Sequence, residues 1–288
     1  MTLLELVADC ARRLQQADVA FGHGTANAFD EAAWLVLWKL GLPLDGLDDH
    51  ERDEVDAERG EQAQALVEER IASRKPAAYL TREAWLQGVP FYVDERAIVP
   101  RSFIAELLAE GTIDPWLGEH TRRVLDLCTG NGSLAVLAAM AWPEVQVDAA
   151  DLSPDALAVA DINVRKHGLR DRIRLLRSDG LSALTGPYDL VLCNPPYVNS
   201  ASMAALPAEY RAEPLLALAG GADGMDFIRT LLQDAPSRMG EAAVLVLEIG
   251  NEREHFERAF PRLEAVWLDT SAGADQVLLL TRQALVRQ

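Results

Sequence analysis

The chain has 288 residues, 49% of them hydrophobic, 25% charged and only 6% aromatic. Nearly half the chain can be buried, which excludes whole-chain disorder, and the length suits a small domain joined to a larger one. Lys and Arg number 27 against 45 Asp and Glu, a formal charge of −18, which argues against gripping a phosphate backbone through clustered cations and suits either a basic partner or solubility alone.

The N-terminus, MTLLELVADCARRL, places Glu5 and Asp9 before its basic pair, unlike a signal peptide. No apolar run approaches the ~20 residues that span a bilayer. Cys10, Cys128 and Cys193 lie far apart and match neither a metal spacing nor a disulfide framework. The expectation is a reduced, cytoplasmic protein with no membrane segment and no metal.

Leu3, Val7, Cys10 and Leu14 recur at helical spacing, and FDEAAWLVLWKLG (29–41) is dense in helix formers before Gly41 and Pro43 stop it. A third helix is expected over about 51–74, with Val55, Leu66, Val67 and Ile71 on its apolar side and Pro76 ending it. The acidic run 48–61 reads as a solvated helix face. Aromatic and β-branched residues around Gly88-Val89-Pro90 predict a hairpin within 77–100, and Pro100 opens a helical stretch, SFIAELLAEGTIDPWL. Short apolar runs then predict strands at 122–128, 145–151, 172–178, 188–194, 242–250, 263–270 and 276–282. Helices fit between them at 133–142, 154–167, 224–239 and 251–259. This alternation specifies an α/β fold with a parallel, doubly wound sheet. The last two strands are joined by a loop too short for a crossover, so they pair antiparallel.

The first of these strands ends in Asp126-Leu127-Cys128-Thr129-Gly130-Asn131-Gly132 and enters a helix. Such glycines permit a tight turn and close approach of backbone to ligand. Gly130, Gly132 and Ala135 also satisfy a dinucleotide spacing, with Asp151 placed as the ribose-binding acid, so a NAD enzyme fits this loop equally well. Asp151 and Leu152 follow the second strand and Asp179-Gly180 the third, at strand ends where open parallel sheets bind ligands. Asp179-Gly180 also suits an ordinary turn.

Asn194-Pro195-Pro196-Tyr197 follows the fourth strand and decides among these readings. Two prolines remove two backbone donors and stiffen the loop. Asn194 and the Pro195 carbonyl offer acceptors and Tyr197 a flat face, a slot for a planar group bearing –NH₂. His23, His50, His120, His167 and His255 read as surface residues, and no general base is assigned.

In this order DLCTGNG, Asp151 and NPPY resemble the S-adenosyl-L-methionine-dependent methyltransferases that modify planar amino groups. Over nearly the whole chain, PFYVDERAIVPRS, NPPYV, MAALPAEYRAEPLLALAGGADGMD and LVLEIGN resemble the HemK family of protein-glutamine methyltransferases. FGHGTANAFDEAAWLVLWKLGLPLD, Cys128 and Gly250-Asn251 are similar to its PrmB branch, which methylates a glutamine of the third large-subunit ribosomal protein. The resemblance implies a Rossmann-like, seven-stranded class I methyltransferase domain over 101–288, a helical substrate-recognition domain over 1–76 and a β-hairpin linker over 77–100. It implies S-adenosyl-L-methionine held by Asp126, Cys128, Thr129, Gly130, Asn131, Gly132, Asp151, Leu152, Asp179, Gly180 and Asn194. It further implies that Asn194, Pro195, Pro196 and Tyr197 hold the glutamine of a basic ribosomal protein, with 198–223 forming part of that site. No direct nucleic-acid binding is expected. The alternatives are the same reaction on peptide chain release factors, a DNA adenine methyltransferase using the same slot, and a non-catalytic cofactor-binding protein. Arg101-Ser102 belong to the family pattern without an assigned role.

Overall fold

A computed structural model describes residues 1–287. Helix α1 (Leu3–Gln16) starts at Thr2, whose hydroxyl accepts the Glu5 amide while the Glu5 carboxylate accepts the Thr2 amide. Helix α2 (Ala28–Leu40) is capped by Asn27 and closed by Gly41 in the left-handed conformation. The third helix expected over about 51–74 is shorter, α4 (Ala57–Ser73), and a separate helical turn, α3 (Leu47–His50), precedes it. Asp56 accepts the amides of Glu58 and Arg59, so a helix begins inside the acidic run rather than passing through it. Leu6, Cys10 and Leu14 of α1 pack with Leu35 of α2 and Val67 of α4 in one apolar cluster.

Helix α5 (Ala77–Thr81) leads into the hairpin β1 (Glu83–Leu86) and β2 (Val89–Tyr92). Gln87 and Gly88 at its tip have φ of 51° and 73°, the two-residue turn whose twist matches its strands. The helix foreseen after Pro100 is short, α6 (Ile104–Ala109), and a 3₁₀ turn at Asp114–Trp116 follows. Gly111, at φ 68°, breaks it.

All seven strands expected beyond residue 122 form. In chain order these elements are β3 (Arg123–Leu127), α7 (Ser133–Ala141), β4 (Gln146–Asp151), α8 (Pro154–Lys166), β5 (Ile173–Arg177), β6 (Tyr188–Cys193), α9 (Ser200–Ala205), α10 (Asp226–Asp234), β7 (Met239–Glu248), α11 (Arg253–Ala259), β8 (Val266–Thr270), β9 (Gly273–Thr281) and α12 (Arg282–Val286). They build one sheet in the order β5-β4-β3-β6-β7-β9-β8. The first five of that order run parallel, and β9 is antiparallel to both its neighbours. Successive strand residues enter different apolar layers: Val124 faces α7, and Leu125 shares a cluster with Ile228 and Leu231 of α10. Burial on both faces explains why the central strands read as continuous apolar runs.

Two buried polar contacts fix the N-terminal elements. Arg70 on α4, wholly buried, donates to Glu31 on α2 at 2.8 Å and to the Ala20 carbonyl at 2.9 Å. Asn163 on α8 accepts the Tyr92 amide at 2.7 Å and donates to the carbonyls of Tyr92 and Asn131, joining the hairpin to the glycine loop. Arg70→Ala strands the buried Glu31 carboxylate and is expected to lower stability by about 3–5 kcal/mol in urea unfolding. An unchanged midpoint would show the pair to be dispensable.

Candidate active site

The glycine loop departs from β3 through Cys128, which adopts a left-handed φ of 61°. Few side chains accept that conformation, so a non-glycine residue stores local strain here. Gly132 (φ 82°) caps α7, and a Cβ there would lie 3.1 Å from that of Ala160, so the close approach of α7 and α8 requires glycine. Asp126 lies beneath the loop, nearly inaccessible to solvent. Its Oδ2 accepts from the Thr129 hydroxyl at 2.5 Å and the Ala135 amide at 2.9 Å, whereas Oδ1 is buried without a partner among the described residues. Burial pushes its pKa up to about 7. Asp151, at the end of β4, accepts the amides of Gly130 and Ser153 at 2.9 Å each, and burial raises its pKa too. Ser153, not Asp151, caps α8, as its position before Pro154 suggests.

Cys128, Gly130, Asp151, Leu152, Asp179, Gly180, Asn194 and Pro196 line one cavity, together with Phe227 and Ile98. Its volume is about 780 Å³, counting the part open to solvent. Asp126, Thr129, Asn131 and Gly132 are not in that lining; they build the loop from below. Pro195 and Tyr197 face a second cavity with Gly22, Arg101, Tyr210, Glu248 and Asn251. Asn194 borders both cavities, and its side chain has no hydrogen-bond partner among the described residues. Tyr197 is held by close packing: a Cβ on Gly250 (φ 53°) would lie 2.5 Å from its ring. The glycine of LVLEIGN is therefore a steric requirement of the tyrosine in NPPY.

Several residues here were not singled out from sequence. Glu213 accepts from Arg101 through both carboxylate oxygens, at 2.5 and 2.7 Å, and also accepts the Val99 amide. Burial alone would raise its pKa, but His23 and Arg101 beside it bring it down to about 2. Glu209 meets Arg74 at 3.1 Å and Arg70 at 3.6 Å. Ser102 donates to Glu248 at 2.6 Å, so Arg101 and Ser102 each serve a different buried acid. His23 is a correction: expected at the surface, it is buried against the Tyr210 ring with Nε2 3.4 Å from Glu213. Of the other four histidines only His120 is exposed; His50, His167 and His255 are half-buried. The pairing partners lie far apart in sequence, so local patterns carried no sign of them.

The ribosomal protein uL3 glutamine methyltransferase of Bordetella pertussis (strain Tohama I) is 54% identical over 287 residues, 99% of this chain and 96% of its own length. This chain belongs to the uL3 glutamine methyltransferase family. The family's Burkholderia pseudomallei (strain K96243) member is 52% identical, covering 97% of this chain and 94% of its own. The family model described as methyltransferase small domain matches residues 105–209. A crystal structure of the hMettl16 catalytic domain, in complex with MAT2A 3′UTR hairpin 6, aligns with a TM-score of 0.52 over 78% of this chain and 81% of that one. At 13% identity this likeness concerns the fold alone. The chain is a methyltransferase of the class I fold whose methyl donor is S-adenosyl-L-methionine. Among the described residues no helix is long and apolar enough to cross a membrane.

Asp126 supplies a pH test. Its pKa is raised in the folded state above the ordinary value near ~4, so its contribution is fully present below about pH 4. That contribution is lost as pH rises through 7. In Asp126→Asn that part of the decline in thermal stability between pH 5 and 8 is expected to disappear, leaving the part that other buried carboxylates with raised pKa carry, Glu248 among them. A decline as steep as the parent's would show that Asp126 does not titrate there.

Proposed function

We propose that this enzyme methylates the side-chain amide nitrogen of a glutamine in ribosomal protein uL3, using S-adenosyl-L-methionine. The observation that carries the reading is Asn194: an unpartnered carboxamide between two cavities that have different chemistry. The relatives' names supply the acceptor class.

The first cavity suits the donor. The Asp151 carboxylate keeps lone pairs beyond its two backbone bonds and can accept ribose hydroxyls. Leu152 and Phe227 offer apolar cover for a planar base, with Asp179 and Gly180 at its edge. The backbone around Gly130 is open, since a Cβ there would meet nothing within 4 Å. Asp126, Thr129, Asn131 and Gly132 shape that backbone, and the spare Oδ1 of Asp126 and Nδ2 of Asn131 remain for a polar partner. When bound, the cofactor supplies an electrophilic methyl group on a sulfonium.

An amide nitrogen is a weak nucleophile because its lone pair is delocalised into the carbonyl. Asn194 Oδ1 and the Pro195 carbonyl accept its two N–H groups, fixing the nitrogen towards the donor cavity and raising its electron density. Pro196 stiffens the loop, and Tyr197 presents the ring against which the amide plane rests. Transfer forms the N–C bond, breaks the S–C bond and releases one amide proton. Orientation is the main lever; ideally placed reactants gain up to ~7–11 kcal/mol. The helices of residues 1–76 then act as the recognition region and 77–100 as the linker, because Gly22 reaches the acceptor cavity and the hairpin braces the glycine loop.

The test is methyl transfer from labelled S-adenosyl-L-methionine with uL3, a release factor and duplex DNA offered in parallel. Label on a uL3 glutamine is the expected result; label on the release factor or DNA reassigns the acceptor. Asn194→Ala is expected to abolish transfer, with cofactor affinity changed less than about tenfold because only one of many contacts is lost. A variant that keeps its turnover removes Asn194 from the mechanism. The charge of −18 further suggests electrostatic recruitment of a basic substrate. Substrate KM should therefore rise with ionic strength between 50 and ~300 mM salt, and a KM indifferent to salt argues for recognition by shape.

A further inference from the structure

The acceptor cavity contains a carboxylate, the glutamate of LVLEIGN, to which neither the sequence reading nor the reaction outlined above gives a role. Glu248 ends β7 and is 2% exposed, yet it borders the cavity beside Pro195, Tyr197 and Arg101. A buried carboxylate is costly unless its oxygens are satisfied. Here Oε2 accepts the Ser102 hydroxyl at 2.6 Å and the Phe103 amide at 2.9 Å. Oε1 accepts the Tyr197 hydroxyl at 3.3 Å. Two residues on, Gly250 lies against the Tyr197 ring with no room for a Cβ. The end of β7 and the residues just after it thus meet Tyr197 twice, once at its ring and once at its hydroxyl.

We propose that Glu248 is a positioning residue for methyl transfer: its carboxylate fixes the Tyr197 ring, and through it the plane in which the acceptor amide is held. The inference rests on the reading of the acceptor cavity given above. A bond to an ionised acceptor is stronger than one to a neutral acid, so the hold on Tyr197 depends on the charge of Glu248. Burial pushes the pKa of this group up to about 7, and the ionised, holding form therefore grows in as pH rises through neutrality. The groups facing Glu248 are Ser102 and the amides of Phe103 and Ile104 from the start of α6, and Tyr197 from the loop after β6. Tyr197 in turn faces Arg101 and Glu213. None of these side chains titrates in the same range; Asp126 does, but on the donor side.

Two readouts separate this proposal from the identity of the acceptor. In protein carrying ¹³Cζ-labelled tyrosine, the Tyr197 resonance is expected to titrate with a midpoint near 7 in the parent and to stay flat through that range in Glu248→Gln. This measurement needs no substrate. With whichever acceptor the parent methylates, kcat at saturating S-adenosyl-L-methionine should show an acidic limb near pH 7. Glu248→Gln should lose that limb and fall in kcat on the order of 10- to 100-fold at pH 8, with cofactor affinity within about twofold. In a Tyr197→Phe background the same substitution should cost less than about threefold, because the shared bond is already gone. A Tyr197 signal without the titration, or an acidic limb that survives Glu248→Gln, overturns the proposal. Label on an acceptor other than uL3 would revise the proposed function and leave these two readouts standing.

Discussion

The placement of the cavity beside Tyr197 depends on two buried glutamates between β6 and β7, Glu209 on the short 3₁₀ stretch Ala208–Ala212 and Glu213 immediately after it. That segment has no long helix or strand to hold it. Its position comes from charge: Glu209 is held by Arg70 of α4 and by Arg74 just past the end of that helix, and Glu213 by Arg101 with His23 alongside. Removing either carboxylate from water costs several kcal/mol, which only a well-matched cation with further hydrogen bonds offsets. The arrangement therefore forms in one geometry or not at all. It ties the N-terminal helices, the segment before α6 and the acceptor loop into a single body, with Tyr210 and Gly22 facing the cavity between them.

The sheet supplies the other half of the geometry. The chain builds β3, β4 and β5 outward in one direction, then returns past β3 to lay down β6 and β7 on its other side. At that reversal the loops after β3 and β6 diverge and leave a crevice, the place where open α/β sheets bind ligands. Cys128 and Asn194 follow the adjacent strands β3 and β6, which pair through Leu127 and Cys193. The cavity at Asp151 and the slot proposed for the amide are thus neighbours by topology, before any side-chain chemistry is considered.

How much of this could be read in advance depended on the range of the interaction. Strand–helix alternation, the cap at Ser153, the glycine stop at Gly41 and the antiparallel final pair are local or fold-wide patterns, and they were legible. The loops that meet at the site were legible as well, because glycine and proline announce backbone constraints. Boundaries inside acidic or glycine-interrupted helices were not. Asp56 was read as part of a solvated face, and in the fold it caps α4. The buried ion pairs were invisible: nothing near Glu213 in sequence distinguishes it from a surface acid, and its partner Arg101 is over a hundred residues earlier. His23 was misread for the same reason, since its burial depends on Tyr210 and Glu213 arriving from the other end of the chain.

Asn194 has a consequence for ligand design. One side chain is the partition between two adjoining compartments, with Ile98 and Ala217 also common to both walls. A compound that pairs a nucleoside-like head with a short arm ending in a carboxamide could occupy both compartments at once by passing that partition. The second contact would then be made at the high effective concentration set by the tether, so affinity would multiply instead of adding. The length of the arm, more than the strength of either end, would determine whether such a molecule filled both compartments of this enzyme.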